Sequence, residues 1–97
     1  MTLKDCTSPA METLRDYKLA SYVAKFEEFE TEKEIIEEIL SRSSASALMA
    51  YQTDTCTYEE FCDFTTQLEQ FCSIYGFDFD EYCYGIDAAN EQRGAYR

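Results

Sequence analysis

Apolar residues recur every three or four positions along most of this chain, which is the spacing that one face of an α-helix produces. The clearest stripe consists of Phe61, Phe64, Leu68, Phe71, Cys72 and Tyr75. Thr57 and Glu60 at its start are spaced as a helix-capping box, and Gly76 after it occupies the position of a helix C-cap. We therefore predict one helix between these signals, with the stripe turned toward a core.

The beginning of the chain carries a second helical signal. Ser8 and Pro9 are residue types preferred at an N-cap and at the first helical position, and they predict a helix over about 9–29. Its expected apolar face consists of Met11, Leu14, Leu19, Tyr22, Phe26 and Phe29.

A third signal follows at once. Thr31 and Glu34 are spaced as another capping box and predict a helix from 32 to about 42. The apolar positions of this helix are Ile35, Ile36, Ile39 and Leu40. The serine-rich run at 41–46 is expected to interrupt the helix, with one of its serines capping a short helix through 47–51.

The acidic and aromatic stretch FDFDEYCY predicts the start of a last helix. Asp78 and Glu81 are spaced as a capping box, and Phe77 and Tyr82 flank them at the positions of a hydrophobic staple. We expect this helix to run to about residue 91. Its inner side is expected to consist of Phe79, Tyr82, Cys83 and Ile86.

No segment shows the alternating pattern of a β-strand, so the fold class predicted is all-α. A chain of 97 residues has the size of one domain, and 45% hydrophobic residues exclude a disordered chain. The sequence therefore predicts a compact bundle of four or five helices in a single domain, 1–97, with residues 1–7 and 93–97 as loose ends.

Charge is distributed unevenly along the chain. Twenty acids against eight bases give a net charge of −12. Residues 1–42 hold ten acids and six bases, whereas residues 43–92 hold ten acids and no Lys or Arg. Because affinity for a phosphate backbone comes mainly from Lys and Arg, this composition argues against direct binding of nucleic acid.

Nothing in the sequence indicates catalysis. The chain has no His, which removes the commonest general base, and it contains neither a nucleophile elbow nor a phosphate-binding loop. Its five cysteines lack the close pairing of a zinc site and are expected to be buried apolar residues. We expect no enzymatic activity, no metal and no cofactor.

One stretch resembles the start of a calcium-binding loop without completing it. Asp78 and Asp80 are two residues apart, as the first two ligands of an EF-hand loop are. The positions that require a third oxygen ligand, a glycine and a final glutamate hold Tyr82, Cys83 and Ala89. Helix capping is the better interpretation of Asp78.

The expected location is the cytoplasm, of a host cell if the protein is encoded by a phage. The first residues lack the apolar region of a secretory signal, and no run approaches the length of a membrane span. An odd number of cysteines without a close pair is typical of reduced thiols. No association with a membrane is therefore expected.

The remaining candidate for recognition is the acidic half itself. Solvated helical faces normally mix both signs of charge, and the absence of cations after residue 42 departs from this. Carboxylates one helical turn apart lie about 5–6 Å from each other, a spacing comparable to that of phosphates along a strand. The residues predicted to bind a partner are Glu59, Glu60, Asp63, Asp78, Asp80, Glu81 and Asp87. If the first two helices were coaxial, Glu27, Glu30, Glu34 and Glu37 would extend this pattern.

These features favour a small acidic inhibitor, of a phage or mobile-element anti-defence type, that binds a basic nucleic-acid-binding protein or nuclease by nucleic-acid mimicry. In composition alone the chain is similar to small inhibitors that occupy such grooves. One alternative is an immunity protein or antitoxin that neutralises a basic nuclease toxin. Another is a helical regulatory adaptor that uses an exposed aromatic patch, since seven Phe and eight Tyr are many for one small core. The sequence does not define an oligomeric state.

Overall fold

The structure, a computed structural model, describes residues 1–82. Its α-helices in this range are α1 (Pro9–Asp16), α2 (Glu32–Gln52), α3 (Tyr58–Tyr75) and α4, described over Phe79–Tyr82. Two short 3-10 turns lie at Leu3–Asp5 and Leu19–Tyr22. No β-strand occurs in the described part of the chain, and the all-α prediction is confirmed.

The chain divides into two compact units, Met1–Ser43 and Ser44–Arg97. The first unit contains α1 and the first part of α2. The second contains the remainder of α2 together with α3 and α4. The organisation as a single domain stays a prediction.

The start of α1 follows the prediction. Ser8 is the N-cap, and its Oγ accepts a hydrogen bond of 3.3 Å from the backbone N–H of Met11. Pro9 is the first helical residue, where its missing N–H costs nothing. Residues 1–7, predicted to be loose, are held to this helix: Cys6 is fully buried, and the guanidinium of Arg15 donates to the Cys6 carbonyl at 2.8 Å.

The predicted helix over 9–29 is wrong, because α1 already ends at Asp16. Lys18 adopts the left-handed conformation, with φ of 63°, and the chain leaves the helical path there. Packing explains the turn. In a straight helix Ala20 would lie on the side opposite Met11, yet both residues are buried. The turn allows both to reach the core.

This correction changes the predicted apolar face. Its first three members, Met11, Leu14 and Leu19, are buried as expected. Beyond the turn the prediction fails: Tyr22 is 38% exposed and Phe26 is 85% exposed, while Phe29 is half-buried.

The start of α2 is capped much as predicted. The Oγ1 of Thr31 accepts from the N–H of Glu34 at 3.2 Å, while the Glu34 carboxylate accepts from the N–H of Glu30 instead of that of Thr31. All four predicted apolar positions are buried: Ile35, Ile36, Ile39 and Leu40.

The predicted break at 41–46 is wrong, since α2 continues through the serines to Gln52. Serine in a helix interior costs less than about 0.7 kcal/mol relative to alanine, which tertiary packing readily overrides. Ser43 and Ser44 are buried, and the Ser43 hydroxyl donates to the Leu40 carbonyl at 3.1 Å. Neither serine caps a new helix.

In the second unit, α3 agrees with the prediction at both ends. The Oγ1 of Thr57 accepts from the N–H of Glu60 at 3.1 Å, and the Glu60 carboxylate accepts from the N–H of Thr57 at 3.0 Å. Gly76, with φ of 78°, is the C-cap. The stripe is confirmed as core: Phe61, Leu68, Phe71 and Cys72 are buried, and Phe64 and Tyr75 are half-buried.

The last predicted helix is present at its start. The Oδ1 of Asp78 accepts from the N–H of Asp80 at 3.0 Å, so Asp78 caps α4. Tyr82 is buried, whereas the ring of Phe77 stacks on Phe71 with centroids 5.8 Å apart. The remaining predictions for this helix, which concern Cys83, Ile86 and its end near 91, and those for residues 93–97 lie outside the described residues.

Candidate partner-binding surface

The first acidic cluster lies at the start of α3 and consists of Glu59, Glu60 and Asp63. All three residues are exposed. Glu59 and Asp63 lie on the side of α3 that faces away from the buried stripe, because residues four apart share one face of a helix, whereas Glu60 lies at the border of the stripe. This set is called the α3 acidic cluster below.

Its three carboxylates differ in what they contact. Glu60 belongs to the capping box, and the backbone N–H of Thr57 that donates to it holds the pKa of the Glu60 carboxyl below its usual value. No hydrogen bond or ion pair within residues 1–82 engages the carboxylates of Glu59 and Asp63. These two, one helical turn apart, are therefore the members of the cluster that are available to a partner.

The second acidic cluster, called the α4 acidic cluster below, consists of Asp78, Asp80 and Glu81. All three are exposed. Asp78 also caps the helix, which accounts for its presence on structural grounds. Acids in the first turn of a helix are favoured by its dipole, which offsets part of their mutual repulsion. Asp87, the seventh predicted site residue, lies outside the described residues.

The α3 acidic cluster lies in the first turns of α3, and the α4 acidic cluster follows the end of this 18-residue helix. The chain then leads back along α3, because Tyr82 of α4 lines the same small cavity as Phe61 and Phe64. Gly76 ends α3, and α4 begins three residues later in contact with it. The predicted site is thus two separate groups of carboxylates on one unit.

Cations balance the acids only in the first unit. Within the described residues every ion pair joins groups in the range 1–42. Arg42 is the most engaged cation: it binds the Glu27 carboxylate at 2.6 and 3.0 Å and Glu38 at 3.0 Å. The Arg42 guanidinium lowers the pKa of the Glu27 carboxyl.

The predicted extension of the acidic pattern through the first two helices is wrong. Glu27 and Glu30 lie in the irregular segment before α2, so no coaxial helix aligns them with Glu34 and Glu37. Glu27 is neutralised by Arg42, and Glu37 lies 3.9 Å from the ammonium of Lys33.

Sequence reasoning missed two exposed residues that bear on recognition. Glu69 lies on the solvent side of α3 between the two acidic clusters. The polar side of the predicted helix includes Glu69, and this position is sufficient to predict that it is exposed. Phe26 was assigned to the core, and nothing local in the sequence indicates its exposure.

The cavity in the core of the described part of the second unit is too small for an organic ligand. A cavity of about 10 Å³ has as its described lining Ser44, Leu48, Phe61, Phe64, Thr65, Leu68 and Tyr82. The Ser44 hydroxyl is buried there without a hydrogen-bond partner. A volume of this size accommodates one water molecule.

Reactive groups are similarly scarce in the described part of the chain. Burial raises the pKa of the Cys6 and Cys56 thiols, which disfavours the nucleophilic thiolate. Among residues 1–82 no three Asp, Glu or Cys side chains are grouped as a metal site requires. None of the helices in this range is both long and apolar enough to span a bilayer.

Comparisons with family models, with curated proteins and with solved structures found no significant match to this chain. The chemistry of the exposed surface is therefore the basis for a functional proposal.

Proposed function

We propose that this protein is an inhibitor that binds the basic nucleic-acid-binding surface of a partner protein, with its carboxylates in the place of phosphates. The observation that carries the proposal is the pair of exposed acidic clusters at the start of α3 and at the start of α4, in a stretch of fifty residues without Lys or Arg. The proposed role is of an anti-defence type, and the partner is a basic nucleic-acid-binding protein or nuclease.

The spacing of carboxylates within a cluster supports this role. Glu59 and Asp63 are one helical turn apart, and side chains at this spacing lie about 5–6 Å from each other, which is comparable to the spacing of phosphates along a strand. A basic groove that binds a strand presents cations at similar intervals. Each acidic cluster can neutralise part of such a groove, and neither cluster contains a Lys or Arg that the groove would repel.

Structural roles explain only part of the acidic surface. Glu60 and Asp78 cap helices and need no partner to account for them. Glu59 lies in the first turn of α3, where the helix dipole favours an acid. Asp63 lies beyond the first turn and caps nothing, and its repulsion with Glu59 at positions i and i+4 costs a few tenths of a kcal/mol. A net charge of −10 over residues 43–92 likewise opposes compactness through self-repulsion. A basic partner would convert this repulsion into attraction.

The test uses a double substitution, Glu59→Gln with Asp63→Asn, which removes two charges and spares both caps. The matched control is Glu12→Gln with Asp16→Asn, which removes two exposed charges, also four residues apart, from α1 in the first unit. Purified basic DNA-binding proteins and nucleases are each loaded with a short fluorescein-labelled duplex, and release of the duplex is followed by fluorescence anisotropy.

We expect the wild-type protein and the control to release the duplex from at least one member of the panel. The Glu59/Asp63 variant should do so about tenfold less well, mainly through slower association, because exposed charges act by steering. Release should also weaken steeply between about 50 and 200 mM salt. Equal release by the wild type and the Glu59/Asp63 variant, independent of salt, would reject the proposal and favour the aromatic-patch adaptor.

A further inference from the structure

The most exposed large apolar side chain among residues 1–82 is Phe26, at 85%. It lies in the irregular segment between the 3-10 turn at Leu19–Tyr22 and α2. Phe side chains belong to the most frequently buried class in folded proteins, and a nearly complete exposure of one is informative.

The backbone around this ring is held in place on both sides. The N–H of Glu27 donates to the Ala24 carbonyl at 3.1 Å, which closes a turn around Phe26. The Glu27 carboxylate is bound by both terminal nitrogens of Arg42, and Arg42 also donates to the Tyr22 carbonyl at 3.1 Å. The ring is therefore presented on a preformed turn, which reduces the ordering cost of binding through it.

Acidic residues follow the ring directly. In the stretch 26–34 there are five acids and one base, and Glu28 and Glu30 are exposed. Arg42 neutralises Glu27, the N-terminal ammonium lies 3.2 Å from the Glu28 carboxylate, and Lys25 precedes the ring. The negative charge that remains along this stretch is therefore small and is carried mainly by Glu30 and Glu34. A planar aromatic ring with anionic groups along the adjoining chain has the chemical pattern of an unstacked nucleotide, whose base is flanked by phosphates.

We propose that Phe26 anchors this protein in a pocket of the partner that otherwise receives an unstacked nucleobase. This inference rests on the proposed function and narrows it. Proteins that flip a base or bind single strands hold the base against aromatic and apolar side chains, with cations nearby for the phosphates. Such a pocket complements both the ring and its acidic flank. A protein that reads the edges of an intact duplex has no corresponding pocket.

The experiment compares two classes of purified probe: base-flipping or single-strand-binding proteins, and helix-turn-helix proteins that read an intact duplex. Each is loaded with its labelled oligonucleotide, and displacement is measured for Phe26→Ala, Phe26→Leu and Phe26→Tyr. Met49→Ala is the matched control, because Met49 is also an exposed apolar side chain, at 65%. Thermal melts check that each variant is folded. We expect melting temperatures close to that of the wild type, because both side chains are exposed.

The expected result is that the wild type displaces oligonucleotide from members of the first class. Phe26→Ala should be at least about tenfold weaker, Phe26→Tyr close to wild type, Phe26→Leu between them, and Met49→Ala unchanged. This order would show that the pocket requires an aromatic ring and not only apolar volume.

Four results would overturn the inference. If Phe26→Ala acts like the wild type while the Glu59/Asp63 variant is weakened, the inference fails and the proposed function stands. Displacement confined to the duplex readers also excludes a base pocket. If sedimentation shows a dimer that Phe26→Ala abolishes, the ring packs against a second copy of the chain. No displacement from either class would reject the proposed function together with the inference.

Discussion

Phe71→Ala tests the packing of the second unit most directly. The Phe71 side chain is only 1% exposed, and its ring contacts those of Tyr75 and Phe77, with centroids 4.8 and 5.8 Å away. Phe64 belongs to the same predicted stripe but is half-buried and borders the small cavity. The structure therefore predicts different costs for two substitutions that the sequence pattern treats alike.

The magnitudes follow from burial. Truncation of a fully buried Phe to Ala costs about 3–5 kcal/mol, and each aromatic pair adds about 0.5–1.5 kcal/mol beyond its buried area. With two such pairs Phe71→Ala should lie at the upper end, near 5 kcal/mol. Phe64→Ala removes a ring that is already partly in water and should cost about 1–2 kcal/mol. A domain of this size has a total stability of about 5–15 kcal/mol.

The assay is urea denaturation followed by far-UV circular dichroism, with the free energy of unfolding taken from the midpoint and the slope. Phe26→Ala serves as a control, since loss of an exposed side chain should change stability by less than about 0.5 kcal/mol. The reasoning is refuted if Phe71→Ala costs less than about 1 kcal/mol, or if Phe64→Ala proves the more destabilising of the two.

Two further predictions concern local structure and pH. Gly76→Ala should destabilise the protein by about 1–2 kcal/mol, because a φ of 78° strains any residue with a Cβ, although no atom lies within 4 Å of the added carbon. Gly76→Asn should recover part of the lost stability. A Gly76→Ala variant as stable as the wild type would contradict the prediction. Hydrogen bonds lower the carboxyl pKa values of Glu27 and Glu60, so their contribution is complete above the usual value of 4.5 and is lost as the pH falls through the lowered values. The thermal midpoint should therefore fall on acidification below about pH 4.5, and less so in a Glu27→Gln, Glu60→Gln double variant; an equal fall in both proteins would exclude these two carboxylates as the cause.

The sequence by itself determined the helix α3. Its capping box, its C-terminal glycine and its apolar spacing all act between residues no more than four positions apart, so they can be recognised along the chain. The same holds for the cap at Ser8 and for the cap at Asp78. The exposure of the acidic clusters follows from the same helical spacing.

Tertiary packing decided where α1 ends and where α2 ends. The turn at Lys18 places Ala20 in the core, which it would not reach in a straight helix. Ser43 and Ser44 are buried, and α2 continues through this run of weak helix formers. The positions of these helix ends depend on neighbours distant in sequence, which no local pattern encodes.

The tertiary structure also decided how the candidate surface is arranged. Because α1 ends at Asp16, Phe26 lies outside the core, on a separate turn. Arg42 holds this turn by binding Glu27, which precedes it by fifteen residues in the sequence. After the turn at Gly76 the chain leads back along α3, where Tyr82 lines the same cavity as Phe61 and Phe64. Charge and residue type were visible in the sequence, but the relative placement of the two clusters and the exposure of the Phe26 ring depend on the path of the chain in space.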